Sequence, residues 1–269
     1  MKMTKNVFLF LATFLLLTAC NGVDKILKTN DFEAKYAAAM DFYNNNSYSR
    51  AIQVFENLIL YYRGKEHAED ILWYYSQALM KEGDFYTAGY QFKRFVRQYP
   101  YSDRAEEGLF LAAYCKYQES PEYSLDQTVT KDAVTEFEQY VEKYPQSPHI
   151  PEINAYLDEL RGKLMRKDYE IAYGYYVIEA YHSAYVSLQD FLIEYPESPM
   201  REEATFYLLR SGYEYAINSV PERQRERLGQ VVNDFEKMVA TFKDSKYLEE
   251  ARDIYTKTRT ALSELSIDN

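Results

Sequence analysis

The sequence predicts an all-α fold, an α-solenoid of about five stacked helix-turn-helix repeats. The phrase Tyr-Pro-x-Ser recurs at 99–102, 144–147 and 195–198, with a degraded copy at 242–245. Apolar residues at i, i+3 and i+4 precede each copy, which is the spacing of an amphipathic helix. An aromatic residue also returns at intervals of 37, 37, 59 and 37 residues, at Tyr36, Trp73, Phe110, Tyr169 and Phe206. A fixed period of this length is the signature of a helical repeat array.

The first element is a signal peptide over residues 1–19. Two lysines are followed by an apolar run from Val7 to Leu17 and then by Thr18-Ala19-Cys20. The run is shorter than the roughly 20 residues that a spanning helix needs, so we expect it to be removed after export. The last four residues of this segment resemble the bacterial lipobox, which implies that Cys20 is lipidated; an ordinary secretory peptide is the alternative. We expect residues 20–30 to form a short linker.

The composition limits the partners of the exported chain. The 269 residues carry a net charge of −11, which becomes −13 when Lys2 and Lys5 leave with the signal peptide. Nucleic acid is excluded as a partner, because phosphate binding draws its affinity from clustered Lys and Arg. With Cys20 lipidated, only Cys115 remains, so no internal disulfide is expected.

The repeats themselves resemble the tetratricopeptide repeat, a helix-turn-helix unit of about 34 residues with small residues and aromatics at fixed positions. In the second repeat these positions are Ser76, Gly83, Ala88, Phe92 and Pro100. Proline stops the second helix of a repeat, and we expect the serine after it to cap the next helix. The predicted array covers residues 31–265, with repeats at about 32–65, 68–102, 103–147, 151–198 and 201–245 and a C-terminal capping helix at 246–265.

Two insertions interrupt the period. The first, from Glu119 to Thr130, is polar, contains Pro121, and predicts a longer turn inside the third repeat. The second, from Pro148 to Met165, has apolar residues at helical spacing and runs into the next helix without a strong break. It predicts one long helix from about Pro151 to Glu179.

The lipobox followed by five such repeats resembles the BamD family, also called ComL or YfiO, over Asp31 to Leu265. The resemblance rests on the lipobox, on an opening of the type Ala-Met-Asp-Phe-Tyr, and on the Tyr-Pro-x-Ser junctions. It implies a non-enzymatic lipoprotein of the β-barrel assembly machinery, anchored in the outer membrane and facing the periplasm. The implied partners are the periplasmic domains of a BamA-like insertase, other assembly-machinery lipoproteins, unfolded outer-membrane proteins, and the membrane itself through the lipid.

A peptide-binding groove is the first candidate site, because the first helices of stacked pairs line one surface and here carry aromatic columns. Aromatic rings give a peptide large contact area at low entropic cost. The alternative, that these rings are inter-helix core, stays open from sequence alone. The candidate groove residues are Tyr36, Met40, Tyr43, Trp73, Gln77, Met80, Phe110, Tyr114, Tyr117, Tyr173, Tyr176, Arg210 and Tyr213.

A second candidate surface is a concentration of arginines in the fifth repeat. Its members are Arg201, Arg223, Arg225 and Arg227, with Arg210 nearby. Such a patch suits an acidic partner surface and acts mainly on association rate and orientation. The alternative is a solvated loop in which Glu222 and Glu226 alternate with the arginines.

Catalysis and metal binding find no support in the sequence. His67, His149 and His182 are scattered, and none has a second His or Cys at the i, i+4 spacing of a helical metal site. No Gly-rich phosphate loop is present, so we expect neither a cofactor nor a metal. Cys115 lies beside Ala112 and Ala113 and is expected to be a buried, inert thiol.

Two other functions remain compatible with the sequence. One is a periplasmic coordinator of cell division or the envelope, of a related lipid-free class that also carries Tyr-Pro-x-Ser repeats. The other is a glycan-binding lipoprotein, which the single Trp and the modest length disfavour. The residue after the lipidated cysteine is Asn21 rather than the aspartate that retains lipoproteins in the inner membrane, which favours the outer membrane.

Overall fold

The computed structural model describes residues 21–267, and within that range the secondary structure consists of twelve helices without a strand. Cys20 and the predicted signal peptide lie outside the described residues. The helices are α1 Asn21–Lys28, α2 Phe32–Asn44, α3 Tyr48–Tyr61, α4 Ala68–Glu82, α5 Phe85–Gln98, α6 Ala105–Gln118, α7 Thr128–Lys143, α8 Ile150–Val177, α9 Tyr181–Glu194, α10 Arg201–Ile217, α11 Pro221–Thr241 and α12 Leu248–Ile267. The pairs α2–α3, α4–α5, α6–α7, α8–α9 and α10–α11 fall on the five predicted repeats.

Tight turns join the two helices in the pairs α2–α3, α4–α5 and α8–α9. Asp84 caps α5 by accepting a hydrogen bond from the backbone N–H of Thr87 at 3.0 Å. The equivalent turn position of three repeats has a left-handed backbone: Asn46 at φ 56°, Gly83 at φ 90° and Glu179 at φ 59°. Glycine and asparagine tolerate this conformation, whereas glutamate does so at a cost.

The chain forms two compact units. Of the described residues, unit 1 comprises 21–121 and 126–160, and unit 2 comprises 122–125 and 161–267. The core of unit 1 includes Phe55, Phe92, Phe95, Phe137 and Tyr140, all fully buried. Unit 2 has one cluster around Tyr169, Leu188 and Phe191 and another around Phe206, Val231 and Met238.

Both predicted insertions are confirmed. The polar segment between α6 and α7 is a loop over residues 119–127, and α8 is a single helix of 28 residues from Ile150 to Val177. Ile153 and Leu160 of α8 belong to the core of unit 1, whereas Tyr169 and Ala172 belong to that of unit 2.

The predicted linker at 20–30 is wrong for most of its length, because α1 occupies Asn21–Lys28. Val23 is buried, and Ile26 and Leu27 pack against the core of unit 1. These residues have i, i+3, i+4 spacing, so even eight residues form a helix when one face finds a core to cover.

The serine of each Tyr-Pro-x-Ser junction makes its hydrogen bond in the turn before the next helix, and not at the N-cap position as predicted. The hydroxyl of Ser102 accepts from the backbone N–H of Arg104 at 3.1 Å, and Ser198 does the same with Met200 at 3.1 Å. Arg104 and Met200 are the N-cap residues of α6 and α10, and neither makes a side-chain cap. The serine therefore closes the turn before the helix rather than capping the helix itself. The prediction that Tyr-Pro ends the preceding helix is confirmed by α5, α7 and α9.

The arginine-rich segment is a helix, so the solvated-loop alternative is wrong. Pro221 occupies the first turn of α11, where its missing N–H costs nothing, and Arg223, Arg225 and Arg227 follow within that helix. Among residues 21–267, none of the helices is both long and apolar enough to cross a membrane.

Candidate binding surfaces

The aromatic residues that recur along the sequence form a column, which comprises Tyr36, Trp73, Phe110, Tyr169 and Phe206, and four of its five rings form core rather than groove. Trp73, Phe110 and Tyr169 are each 6% exposed, and Phe206 is 1% exposed. The prediction that Trp73 and Phe110 line a groove is therefore wrong. Tyr36, on the first helix of the first repeat, stays half-buried.

In four of the five repeats, a residue from the following Tyr-Pro-x-Ser junction or its counterpart, here called the junction residue, covers the column ring and helps to bury it. His149, the residue before α8, stacks on the ring of Phe110 with centroids 3.9 Å apart. The imidazole also lies 2.8 Å from a carboxylate oxygen of Glu107, three residues before Phe110. The acid and the ring lie on one helix face, and the junction residue comes from the start of the next repeat.

The same arrangement occurs in the other repeats of unit 1. His67 stacks on Tyr36 at 4.3 Å and lies 3.6 Å from Glu33. The guanidinium of Arg104 lies 5.6 Å from the ring centre of Trp73 and 2.6 Å from Asp70. We call each set of acid, ring and junction residue a junction clamp; the three of unit 1 are Glu33–Tyr36–His67, Asp70–Trp73–Arg104 and Glu107–Phe110–His149.

A row of half-buried polar and aromatic side chains lies on the first helices of unit 1. The hydroxyl of Tyr43 donates to Gln77 at 2.5 Å, and the ring of Tyr43 meets that of Tyr74 edge-on at 5.0 Å. Met40 and Met80, three residues from Tyr43 and Gln77 on the same helices, are also half-buried. The Tyr43–Gln77 bond joins the first helices of consecutive repeats.

A second aromatic cluster of unit 1 brings together Tyr114, Tyr117 and Tyr156. The rings of Tyr117 and Tyr156 are 4.4 Å apart, and Tyr114 lies 5.7 Å from Tyr156. The hydroxyl of Tyr117 donates to Glu159 at 2.5 Å. Burial, followed by this hydrogen bond, raises the pKa of Tyr117 to about 12, so the phenol stays neutral and remains a donor.

Unit 2 contains a similar cluster of tyrosine rings, and an arginine side chain lies beside it. The ring of Tyr207 lies 4.7 Å from Tyr173 and 5.0 Å from Tyr176. The guanidinium of Arg210 lies 5.5 Å from the ring centre of Tyr176 and 3.5 Å from Glu250. Burial is the main cause that raises the pKa of Tyr176. Tyr213 is half-buried in the same unit.

The structure therefore groups most of the predicted groove residues into half-buried rows within each unit. Three tyrosines that the sequence analysis did not single out belong to these rows: Tyr74, Tyr156 and Tyr207. Tyr74 and Tyr207 each follow a column aromatic by one residue, and each meets the tyrosine 31 positions earlier. A tyrosine directly after a column aromatic is the sequence signal that could have identified Tyr74 and Tyr207.

The arginines of the fifth repeat all have partners inside the chain. Arg201 donates to the carbonyl of Pro196, Arg223 lies 3.1 Å from Glu226, and Arg225 donates to the carbonyl of Leu265 at 2.5 Å. Arg227 lies 4.0 Å from the ring centre of Tyr215. These guanidiniums stabilise helix ends and rings of unit 2.

Within residues 21–267, Cys115 has the surroundings of a structural residue rather than of a nucleophile. Cys115 is fully buried, and burial raises the pKa of its thiol to about 12, as expected of an inert cysteine. Across residues 21–267, no group of three or more His, Cys, Asp or Glu side chains is placed to hold a metal ion.

Comparison with known families bears on the repeats. Residues 28–177 and 168–268 match the family model YfiO, described as outer membrane lipoprotein. The chain belongs to the YfiO family of outer membrane lipoproteins. The match covers nearly all of the chain, so the resemblance predicted from the sequence is confirmed.

Relatives of this YfiO-family chain have one name in common, outer membrane protein assembly factor BamD. The relative from Pasteurella multocida is 24% identical over 223 residues, covering 79% of this chain and 85% of the relative. The Xylella fastidiosa 9a5c relative is 28% identical over 137 residues, covering 48% and 43%. The relative from Neisseria meningitidis Z2491 is 24% identical over 216 residues, covering 74% and 81%.

A solved structure of the yeast Sti1 TPR2AB domain in a complex with pHSP90 has a TM-score of 0.39 and 12% identity, covering 85% of this chain and 98% of that one.

Proposed function

We propose that this chain is a non-enzymatic factor that assembles β-barrel proteins at the outer membrane. Its relatives are named as assembly factors, and its helix pairs offer binding surfaces instead of a reactive centre. On this proposal the signal peptide ends at residue 19, the lipid on Cys20 anchors the chain facing the periplasm, and residues 31–265 act as one scaffold. Its partners are the periplasmic domains of a BamA-like insertase, other lipoproteins of the machinery, and unfolded outer-membrane proteins.

The observation that carries the proposal is the pair of half-buried tyrosine rows, around Tyr114 and Tyr117 in unit 1 and around Tyr173 and Tyr207 in unit 2. Their hydroxyls donate hydrogen bonds and their rings present flat apolar area, which suits segments that alternate polar and apolar side chains. Unfolded β-strands have this alternation. Arg210 adds a planar cation, a residue type enriched with tyrosine at binding hot spots.

Depletion and complementation test the proposal. The wild-type chain is depleted, and variants are expressed in its place. The surface variant carries Tyr114→Ser and Tyr173→Ser, and the matched control carries Tyr86→Ser and Tyr90→Ser, whose side chains are exposed on α5. We expect depletion to lower the abundance of outer-membrane barrels, the control to restore it, and the surface variant to restore it only in part.

Two outcomes contradict separate parts of the proposal. Normal barrel abundance after depletion would reject the assembly role and favour an envelope coordinator. Full restoration by the surface variant, with the protein at wild-type level, would reject the tyrosine rows as the binding surface. A Cys20→Ser variant in the same set checks the anchor, because the folded protein should then leave the membrane fraction.

A further inference from the structure

A cavity of about 250 Å³ lies within unit 2, between α9, α10 and α11. Leu192 and Leu208 give it apolar walls, and Gln189 and Thr205 add polar atoms. Arg201 and Lys237 stand among its lining residues. An apolar cavity of about 150 Å³ is enough to bind benzene, so an aromatic side chain fits in this volume.

The equivalent place in unit 1 is almost filled. It lies between α3, α4 and α5, where Ile59, Leu72 and Arg94 stand at the positions of Leu192, Thr205 and Lys237, and it retains only about 10 Å³. Tyr75 on α4 stands at the position of Leu208. Its side chain is 4% exposed, and its hydroxyl donates to Glu56 at 2.9 Å.

The difference between the two places follows from these substitutions. In unit 2 the ring of Tyr75 is replaced by Leu208, and its acceptor Glu56 is replaced by Gln189, whose amide oxygen also accepts hydrogen bonds. Leu72 is replaced by the smaller Thr205. The helices keep their pairing, so the volume that a tyrosine ring occupies in unit 1 is left open in unit 2.

Two cations line the cavity of unit 2, and one of them is placed differently from its counterpart in unit 1. Lys237 stands at the position of Arg94, whereas Arg201 stands at the position of Ala68; the second cation of the unit 1 place is Arg63. The carboxylate of Asp234, which is 6% exposed, already accepts from Tyr185 at 2.8 Å and from Gln230 at 2.9 Å. Two cations beside a cavity, on a chain of net charge −11, favour an acidic ligand.

We propose that the unit 2 cavity is a docking site for a tyrosine side chain of a partner protein, in a segment with acidic residues on either side of that tyrosine. The ring takes the place that Tyr75 fills in unit 1. Its hydroxyl donates to the side-chain oxygen of Gln189, and the flanking carboxylates meet Arg201 and Lys237. The site is separate from the half-buried tyrosine rows.

Binding of model ligands by the full mature chain tests this site. Methyl resonances of Leu192 and Leu208 are followed while p-cresol, the tyrosine side chain in isolation, is added. Three capped tripeptides are then compared: Glu-Tyr-Glu, Glu-Ala-Glu and Lys-Tyr-Lys. We expect p-cresol to shift both methyls and Glu-Tyr-Glu to bind at least tenfold more tightly than the other two peptides.

Matched variants fill the cavity of unit 2 and open the equivalent place in unit 1. Leu208→Tyr should fill the cavity as Tyr75 fills its counterpart, and the response to p-cresol should fall at least tenfold. Leu208→Phe serves the same purpose if the Tyr variant folds poorly. Conversely, Tyr75→Leu should open a new p-cresol site in unit 1, reported by the methyls of Ile59 and Leu72.

The charge contribution is checked separately. Lys237→Glu should weaken Glu-Tyr-Glu several-fold and leave p-cresol unchanged. The proposal is overturned if p-cresol does not move the Leu192 and Leu208 methyls, if Leu208→Tyr binds it as well as the wild type does, or if Glu-Ala-Glu binds as tightly as Glu-Tyr-Glu.

Discussion

Unit 1 and unit 2 bury the same aromatic column in chemically different ways. In unit 1 the residue that covers the ring is His67, Arg104 or His149, and each is held by an acid. In unit 2, Met200 packs in the cluster around Tyr169, and Tyr247 stacks on Phe206 at 4.4 Å, with Glu203 at the acid position of this second junction. The acid position of the first unit 2 junction holds Arg166, which pairs with Glu170.

This difference separates what the fold requires from what each repeat adds. Four of the five junctions place a side chain over the column ring, so ring coverage is a recurring feature of the architecture. Charge at the junction is optional, because a half-exposed ion pair adds only about 0.2–1 kcal/mol while burial of an aromatic ring contributes several times that.

The largest expected effect is on the rings. Phe110→Ala in unit 1 and Phe206→Ala in unit 2 should each lower the free energy of unfolding by about 3–5 kcal/mol, because both leave a cavity beneath the junction residue. Trp73 is the only tryptophan and lies in unit 1, so its fluorescence in urea follows that unit. Circular dichroism follows the whole chain.

Equal losses for the two phenylalanine variants would support ring coverage as the common element. A loss below about 1 kcal/mol for Phe206→Ala, with the full loss for Phe110→Ala, would show that only the clamped junctions of unit 1 depend on their rings.

A smaller effect is expected from exchanging junction chemistry. His149→Met should cost about 1 kcal/mol, because the hydrogen bond to Glu107 is lost while a long apolar side chain still covers Phe110. Met200→His alone should gain nothing, since Arg166 stands where the acid would be. The double variant with Met200→His and Arg166→Glu should have a free energy of unfolding about 1 kcal/mol higher than the sum of the two single-variant effects predicts.

A double-mutant cycle in urea, at low and high salt, measures that difference. A coupling of zero between Met200→His and Arg166→Glu would show that unit 2 cannot form a junction clamp. The Arg166→Glu single variant is the control, because it also removes the contact between Arg166 and Tyr123.

The sequence predicted the helix pairs, the loop after α6 and the long α8 because period, proline and apolar spacing are local signals. It could not decide between core and groove for Trp73 and Phe110. Their burial depends on Arg104 and His149, which lie 31 and 39 residues further along and cover the rings only after the next repeat has packed. Helix α1 was missed because eight residues form a helix only against an existing core.

The unit 2 cavity could not be predicted from the sequence, for a different reason. Leu208 fits an amphipathic helix as well as Tyr75 does, so neither residue is unusual in its own repeat. The difference depends on how three helices pack in each unit, which leaves about 250 Å³ open in unit 2 and about 10 Å³ in unit 1.

The smallest expected effect concerns the turn inside a pair, where the two units again differ. Glu179 of unit 2 has φ 59°, and Gly83 of unit 1 has φ 90° at the equivalent position, where a Cβ would meet nothing within 4 Å. Left-handed backbone costs a non-glycine residue about 1 kcal/mol. Glu179→Gly should therefore stabilise unit 2 by about 0.5–1 kcal/mol, the gain being reduced by the extra freedom of glycine in the unfolded chain, and Gly83→Glu should destabilise unit 1 by about 1 kcal/mol. If urea titrations show that Glu179→Gly raises the free energy of unfolding and Gly83→Glu lowers it, the difference between the two turns is due to backbone strain. If both variants lower it, the Glu179 side chain stabilises its turn by more than the strain costs.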